Sequence, residues 1–174
     1  ARRQWNLEDD PNLKYHFLGD FDEAMVKLIR SVKNFQDTPL QKVWDNDGDQ
    51  ILAYRREDFI FVFNFSPNKS FTGYGILVPK GEYEIVLDTD AATFGGFGLN
   101  DDTVHHFTQF DPLYKKEKKE WLKLYLPART AMVLRKVKTK AKTRKREEAT
   151  PSQGVTPTNS KGKRKATTKS SKEA

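Results

Sequence analysis

Phe59-Ile60-Phe61-Val62-Phe63-Asn64-Phe65 carries phenylalanine at every odd position, while Ile60 and Val62 make the opposite face apolar as well. A strand with one face in water alternates apolar with polar residues. This strand is therefore expected to be central in its sheet and covered on both sides, by a second sheet on one and by a neighbouring domain on the other. Working outward, further short apolar runs read as strands: Gln41 to Trp44, Gln50 to Arg56, Tyr74 to Val78, Glu82 to Leu87, Thr103 to Phe107, Glu120 to Leu126 and Thr130 to Lys136. Turn signals divide them at Asn46-Asp47-Gly48, Glu57-Asp58, Ser66-Pro67-Asn68 and Pro79-Lys80-Gly81. Many short strands with no helical pattern between them predict a mainly β domain, a sandwich or Greek-key barrel, over residues 36–136.

Residues 1–35 read differently. Asp20 can cap a helix and Glu23, three positions on, completes a capping-box-like pair. Behind them Phe21, Met25, Leu28, Ile29 and Val32 fall on one helical stripe. Such a stripe requires a partner surface.

Charge separates the rest of the chain. The net charge is +7, but 13 Lys/Arg against 3 Asp/Glu lie in residues 136–174, leaving 18 against 21 in residues 1–135. The β region is thus mildly acidic and offers no nucleic-acid footprint. Residues 137–174 are poor in large apolar side chains and are expected to be disordered. Their clusters Lys142 to Arg146 and Lys161 to Lys165 suit non-specific polyanion binding or a nuclear address, although a solvated extension is the preferred reading. The absence of cysteine excludes disulfides and thiolate zinc sites and agrees with a cytoplasmic protein. The N-terminus has no apolar h-region, so neither a signal peptide nor a membrane span is expected.

Few constellations suggest chemistry. Asp45, Asp47 and Asp49 alternate, but Gly48 and Arg56 occupy the wrong positions for a calcium loop, so the segment reads as a hairpin connection. His105 and His106 are adjacent in a strand and point to opposite faces, which disfavours a shared metal ion. Gly95-Gly96-Phe97-Gly98 lacks the context of a phosphate cradle. Phe94 beside it and Phe97 within it are candidate sugar contacts, since rings on a glycine loop can meet a pyranose face; such rings also plug sandwich edges. Asp88 and Asp90, two apart in a turn, read as backbone-bonding residues rather than as a glycosidase pair.

Three segments, in order and spacing, carry a family resemblance: Ala1-Arg2-Arg3-Gln4-Trp5, Leu87-Asp88-Thr89-Asp90-Ala91-Ala92-Thr93-Phe94-Gly95-Gly96, and Leu126-Pro127-Ala128-Arg129-Thr130-Ala131-Met132-Val133-Leu134. Together they resemble the C-terminal end of a 1,4-α-glucan branching enzyme of the α-amylase superfamily, in its eukaryote-like form, from about Ala1 to Arg135. The resemblance implies that residues 1–35 are the last helical piece of a catalytic (β/α)8 barrel and that 36–136 are the α-amylase-type C-terminal all-β domain, followed by the basic tail 137–174. It implies that the chain is part of a longer enzyme, that the barrel is the partner in cis, covering the second face of the phenylalanine strand and the helix stripe, and that α-glucan is the substrate. Such enzymes cleave an α-1,4 bond and transfer the chain to a 6-hydroxyl by retaining double displacement, using three carboxylates of the barrel. Those carboxylates have no counterpart here, so no catalytic residue, metal ligand or cofactor is assigned. Arg2, Arg3, Gln4 and Trp5 lie, by the resemblance, between the last barrel strand and the final barrel helix. The alternatives are a stand-alone carbohydrate-binding or interaction module, and polyanion binding through the tail.

Overall fold

The computed structural model describes residues 4–33, 35–110 and 119–138. The expected disorder of the tail beyond Lys138, and Arg2 and Arg3 of the first motif, lie outside the described residues. Among the described residues one α-helix, α1 (Tyr15–Arg30), precedes eight strands: β1 (Gln41–Asn46), β2 (Ile51–Arg56), β3 (Phe59–Asn64), β4 (Phe71–Leu77), β5 (Glu82–Asp88), β6 (His105–Phe110), β7 (Glu120–Leu126) and β8 (Thr130–Lys136). In hydrogen-bonded order they run β1-β2-β3-β8-β5-β6-β7-β4, with every pair antiparallel. The set β5-β6-β7 with β4 returning beside β7 is a Greek-key arrangement.

β6 turns the sheet into two layers. Its residues 105–107 pair with β5, whereas Thr108 to Phe110 pair with β7. The far edges then approach each other: Trp44 Nε1 of β1 donates to the Tyr74 hydroxyl of β4 at 3.3 Å, and the Trp44 and Trp121 rings meet edge to face at 5.6 Å. Between the layers lie Ile51, Ala53, Ile60, Val62 and Leu134 from one side and Ile76, Leu122, Leu124 and Leu126 from the other, all essentially buried. Each fully buried aliphatic side chain of this kind contributes about 1.5–3 kcal/mol relative to exposure.

β3 is central, between β2 and β8, as its composition predicts. Ile60 and Val62 face the inner core, while Phe59 and Phe61 face outward. What covers them differs from the expectation. Phe59, Leu87 and Val133 form a second cluster against Phe21, Met25, Leu28 and Val32 of the chain's own helical segment, with Phe35 edge to face on Phe59 and Phe61. The helix stripe that was expected to await a missing barrel thus packs within the chain. It does so loosely: no helix residue is fully buried, and an apolar groove of about 320 Å³ remains between α1 and the sheet.

α1 also begins earlier than its capping signal suggests. Asp20 and Glu23 lie inside the helix, Lys14 precedes its first residue without any side-chain cap, and Glu23 pairs with Lys27 at 2.7 Å. The physical reason is Phe17, one turn before Phe21, whose ring sits against the backbone of Gly95. That tertiary contact extends the apolar stripe by a turn and overrides the local signal at Asp20.

A bulge in β5 sets up the loop that follows. Ile85 pairs with Leu134 and Leu87 with Val133, so Val86 is an extra residue. Val86 and Leu87 both join the outer cluster, and Asp88 is brought opposite Met132.

Candidate functional site

The loop between β5 and β6 is organised by its two aspartates. Asp88 is 7% exposed; one carboxylate oxygen accepts the Asp90 N–H at 2.9 Å and the other accepts from Asn100 Nδ2 at 2.9 Å. Asp90, 5% exposed, accepts the N–H groups of Phe97 at 3.1 Å and Leu99 at 2.9 Å on its carboxylate, and that of Gly98 at 2.7 Å on its carbonyl. Both carboxylates are thus engaged by loop donors, in keeping with their reading as turn residues. Gly96 passes so close that a Cβ there would collide with the Asp90 backbone, and Gly95 takes a left-handed φ of 76° to end the 3-10 turn Ala92–Phe94.

Burial raises the Asp88 pKa above the ordinary aspartate value; the hydrogen bonds from Asp90 and Asn100 oppose this, while the charges of Asp90 and Asp102 add to it. A carboxyl raised in the folded state contributes its stability fully below its unfolded pKa of about 3.9, and loses it as pH rises through the folded pKa. Asp88→Asn keeps an acceptor for the Asp90 N–H and removes that loss. In urea titrations from about pH 3.5 to 6, the stability difference should therefore move in favour of the variant as pH rises. A flat or opposite trend would contradict this assignment.

The two candidate sugar contacts part company. Phe94 is half-buried and packs edge to face on Phe21 at 5.3 Å, fastening the loop to α1. Phe97 is 87% exposed. It borders a groove of about 370 Å³ shared with the β3–β4 and β7–β8 connections, where Ser70, Thr89, Arg129 and Thr130 supply polar groups. Asn64 holds these connections together from beneath. Its Nδ2 donates to the carbonyls of Lys69, Leu126 and Pro127 at 2.9, 3.1 and 2.8 Å, and its Oδ1 accepts the Ser66 N–H at 3.0 Å. Sequence reasoning gave Asn64 and Arg129 no role. For Asn64 a signal was present: it is the one polar residue in an otherwise apolar strand.

The remaining candidates resolve locally. Asn46 and Asp49 close the β1–β2 hairpin through Asn46 Nδ2 to Asp49 at 2.8 Å and Asp49 N–H to Asn46 Oδ1 at 3.1 Å. His105 meets Glu82 on the neighbouring strand, while His106 lies opposite Tyr83 with its pKa lowered, chiefly by burial and then by the His105 charge. Among the described residues no group of three or more His, Asp or Glu side chains could hold a metal ion. Among them, too, no helix is long and apolar enough to cross a membrane.

The described residues thus form an antiparallel Greek-key β-sandwich with one helix packed on an outer face. The family profile described as "Alpha amylase, C-terminal all-beta domain" matches residues 43–137, and the chain belongs to that family. Curated relatives named 1,4-alpha-glucan-branching enzyme include one from Emericella nidulans, 39% identical over 136 residues, and one from Candida glabrata, 41% identical over 136 residues. Each of these alignments covers 77% of this chain and 19% of the relative. A third, from Oryza sativa subsp. japonica and named as chloroplastic/amyloplastic, is 42% identical over 111 residues, covering 62% of this chain and 13% of the relative. The chain thus spans about a fifth or less of the length of these relatives.

Proposed function

We propose that this chain is the C-terminal part of a 1,4-α-glucan branching enzyme, a transferase of glycogen or starch synthesis. The observation that carries the proposal is the length of the similarity. The 136-residue alignments exceed the stretch matched by the β-domain profile and so take in flanking sequence that the β-domain alone does not require. On this reading residues 1–35 close a (β/α)8 barrel and residues 36–136 support it. The three carboxylates of the retaining mechanism belong to the barrel, whose seat includes the side bearing the apolar groove beside α1. Cytoplasmic location is part of the same proposal.

The test has two arms. Incubated with amylose, the 174-residue chain should leave both the iodine-complex absorbance and the number of α-1,6 linkages unchanged. The longer protein containing it should lower the first and raise the second. Branching by the short chain above a heat-killed control, or none by the longer protein, overturns the proposal.

One observation favours a second reading, a stand-alone carbohydrate-binding module: α1 covers the outer phenylalanine face from within the chain. A monomeric chain that binds no hydrophobic dye would favour that reading.

A further inference from the structure

We infer that the groove at the loop end of the sandwich, beside Phe97, is a subsite for a linear α-1,4-glucan chain. The inference rests on the α-glucan reading above and assigns it a place.

Phe97 is a preorganised platform. Its ring is almost wholly in solvent, yet its own N–H and that of Leu99 are held by the buried Asp90 carboxylate at 3.1 and 2.9 Å. A loop fixed in this way loses little freedom when a ligand arrives. Single exposed apolar residues are common on protein surfaces, so the ring alone would argue nothing. The polar groups around it decide the matter.

Ser70 Oγ accepts the Ala128 N–H at 3.1 Å and Thr89 Oγ1 accepts the Ala131 N–H at 2.9 Å, which leaves each hydroxyl proton to donate. Thr130 Oγ1 donates to the Pro127 carbonyl at 2.7 Å, which leaves its oxygen to accept. Arg129 is exposed at the tip of the β7–β8 turn, and its guanidinium makes no hydrogen bond or ion pair among the described residues. An apolar face ringed by donors and one acceptor matches a pyranose, which presents C–H groups on its faces and hydroxyls around its rim. The groove volume, about 370 Å³, falls in the range of small-ligand sites. Phe94, docked on Phe21, takes no part.

Two substitutions test the site without disturbing the fold. Phe97→Ala removes an exposed ring. Arg129→Gly removes the guanidinium at a residue whose φ is 59°, a conformation glycine adopts without strain. Titrated with maltoheptaose and followed by calorimetry, the 174-residue chain should bind, and each variant should bind about fivefold more weakly. Phe97→Tyr should retain affinity, and the melting temperature should be unchanged in Phe97→Ala and equal or higher in Arg129→Gly. Cellohexaose, with its β-1,4 linkage, should bind more weakly than maltoheptaose. Absence of binding by the parent chain, equal affinity in both variants, or equal affinity for cellohexaose each overturns the subsite. Those outcomes leave the branching proposal intact, because the longer protein's activity on amylose is measured separately.

Discussion

Replacing Asn64 by leucine should lower the unfolding free energy by about 3 kcal/mol or more, a large share of a small domain's total. Leucine fills a similar volume, so the loss is polar in origin. The Asn64 amide, 2% exposed, carries two N–H hydrogens and reaches three carbonyls, those of Lys69, Leu126 and Pro127, so one hydrogen is shared. Its oxygen takes the Ser66 N–H as well. Without the amide, several main-chain groups at the meeting of two loops are left without partners where water does not readily enter. Asn64→Asp should be at least as damaging, since a carboxylate would then face carbonyl oxygens. Urea denaturation of the two variants checks this, and a loss below about 1 kcal/mol would show that water or a rearranged loop replaces the network.

Phe59→Ala should cost about 3–5 kcal/mol, as expected for deleting a buried aromatic ring. Phe59 is 4% exposed and lies under Phe35 and the helix stripe. Met25→Lys on the facing helix should cost less, about 1–2 kcal/mol. Met25 is only half-buried, and a lysine stem can lie along the groove with its ammonium in water. Thermal melts of both variants compare the two sides of the contact. If Phe59→Ala were nearly neutral, or Met25→Lys stabilising, the α1–sheet contact would be incidental and the stripe would indeed face a partner.

The strands were legible because their signals are local. The alternating phenylalanines and the Asp-Gly and Pro-Lys-Gly turns locate β1 to β8 within a few residues. β6 starts two residues later than its composition suggests because Asp101 accepts both the N–H and the hydroxyl of Thr103, holding that residue in a turn. What sequence could not supply was long-range. The start of α1 depends on Phe17 meeting a glycine nearly eighty residues later. The different surroundings of Phe94 and Phe97 follow from where α1 lies, and the companions of Phe97 come from loops that neighbour it only in the folded sheet. Asn64 announces itself as polar among apolar residues, but two of its three acceptors, the carbonyls of Leu126 and Pro127, lie 62 and 63 residues away in sequence.

The position of β8 has a consequence for how the domain is made. The last of the described strands is not at an edge: it is hydrogen-bonded to β3 on one side and to β5 on the other. During synthesis, β1 to β7 emerge from the ribosome while the centre of one layer is still missing, and β3 and β5 have no strand between them. Their unpaired edges, with the phenylalanines of β3 beside one of them, remain open to stray pairing for that interval. The layer is completed only once Lys136 is free of the ribosome. Folding of the sandwich is thereby deferred until its eighth strand has been translated, and α1, which precedes all eight strands and is already helical in its periodicity, is a segment on hand to shield the aromatic face during the wait.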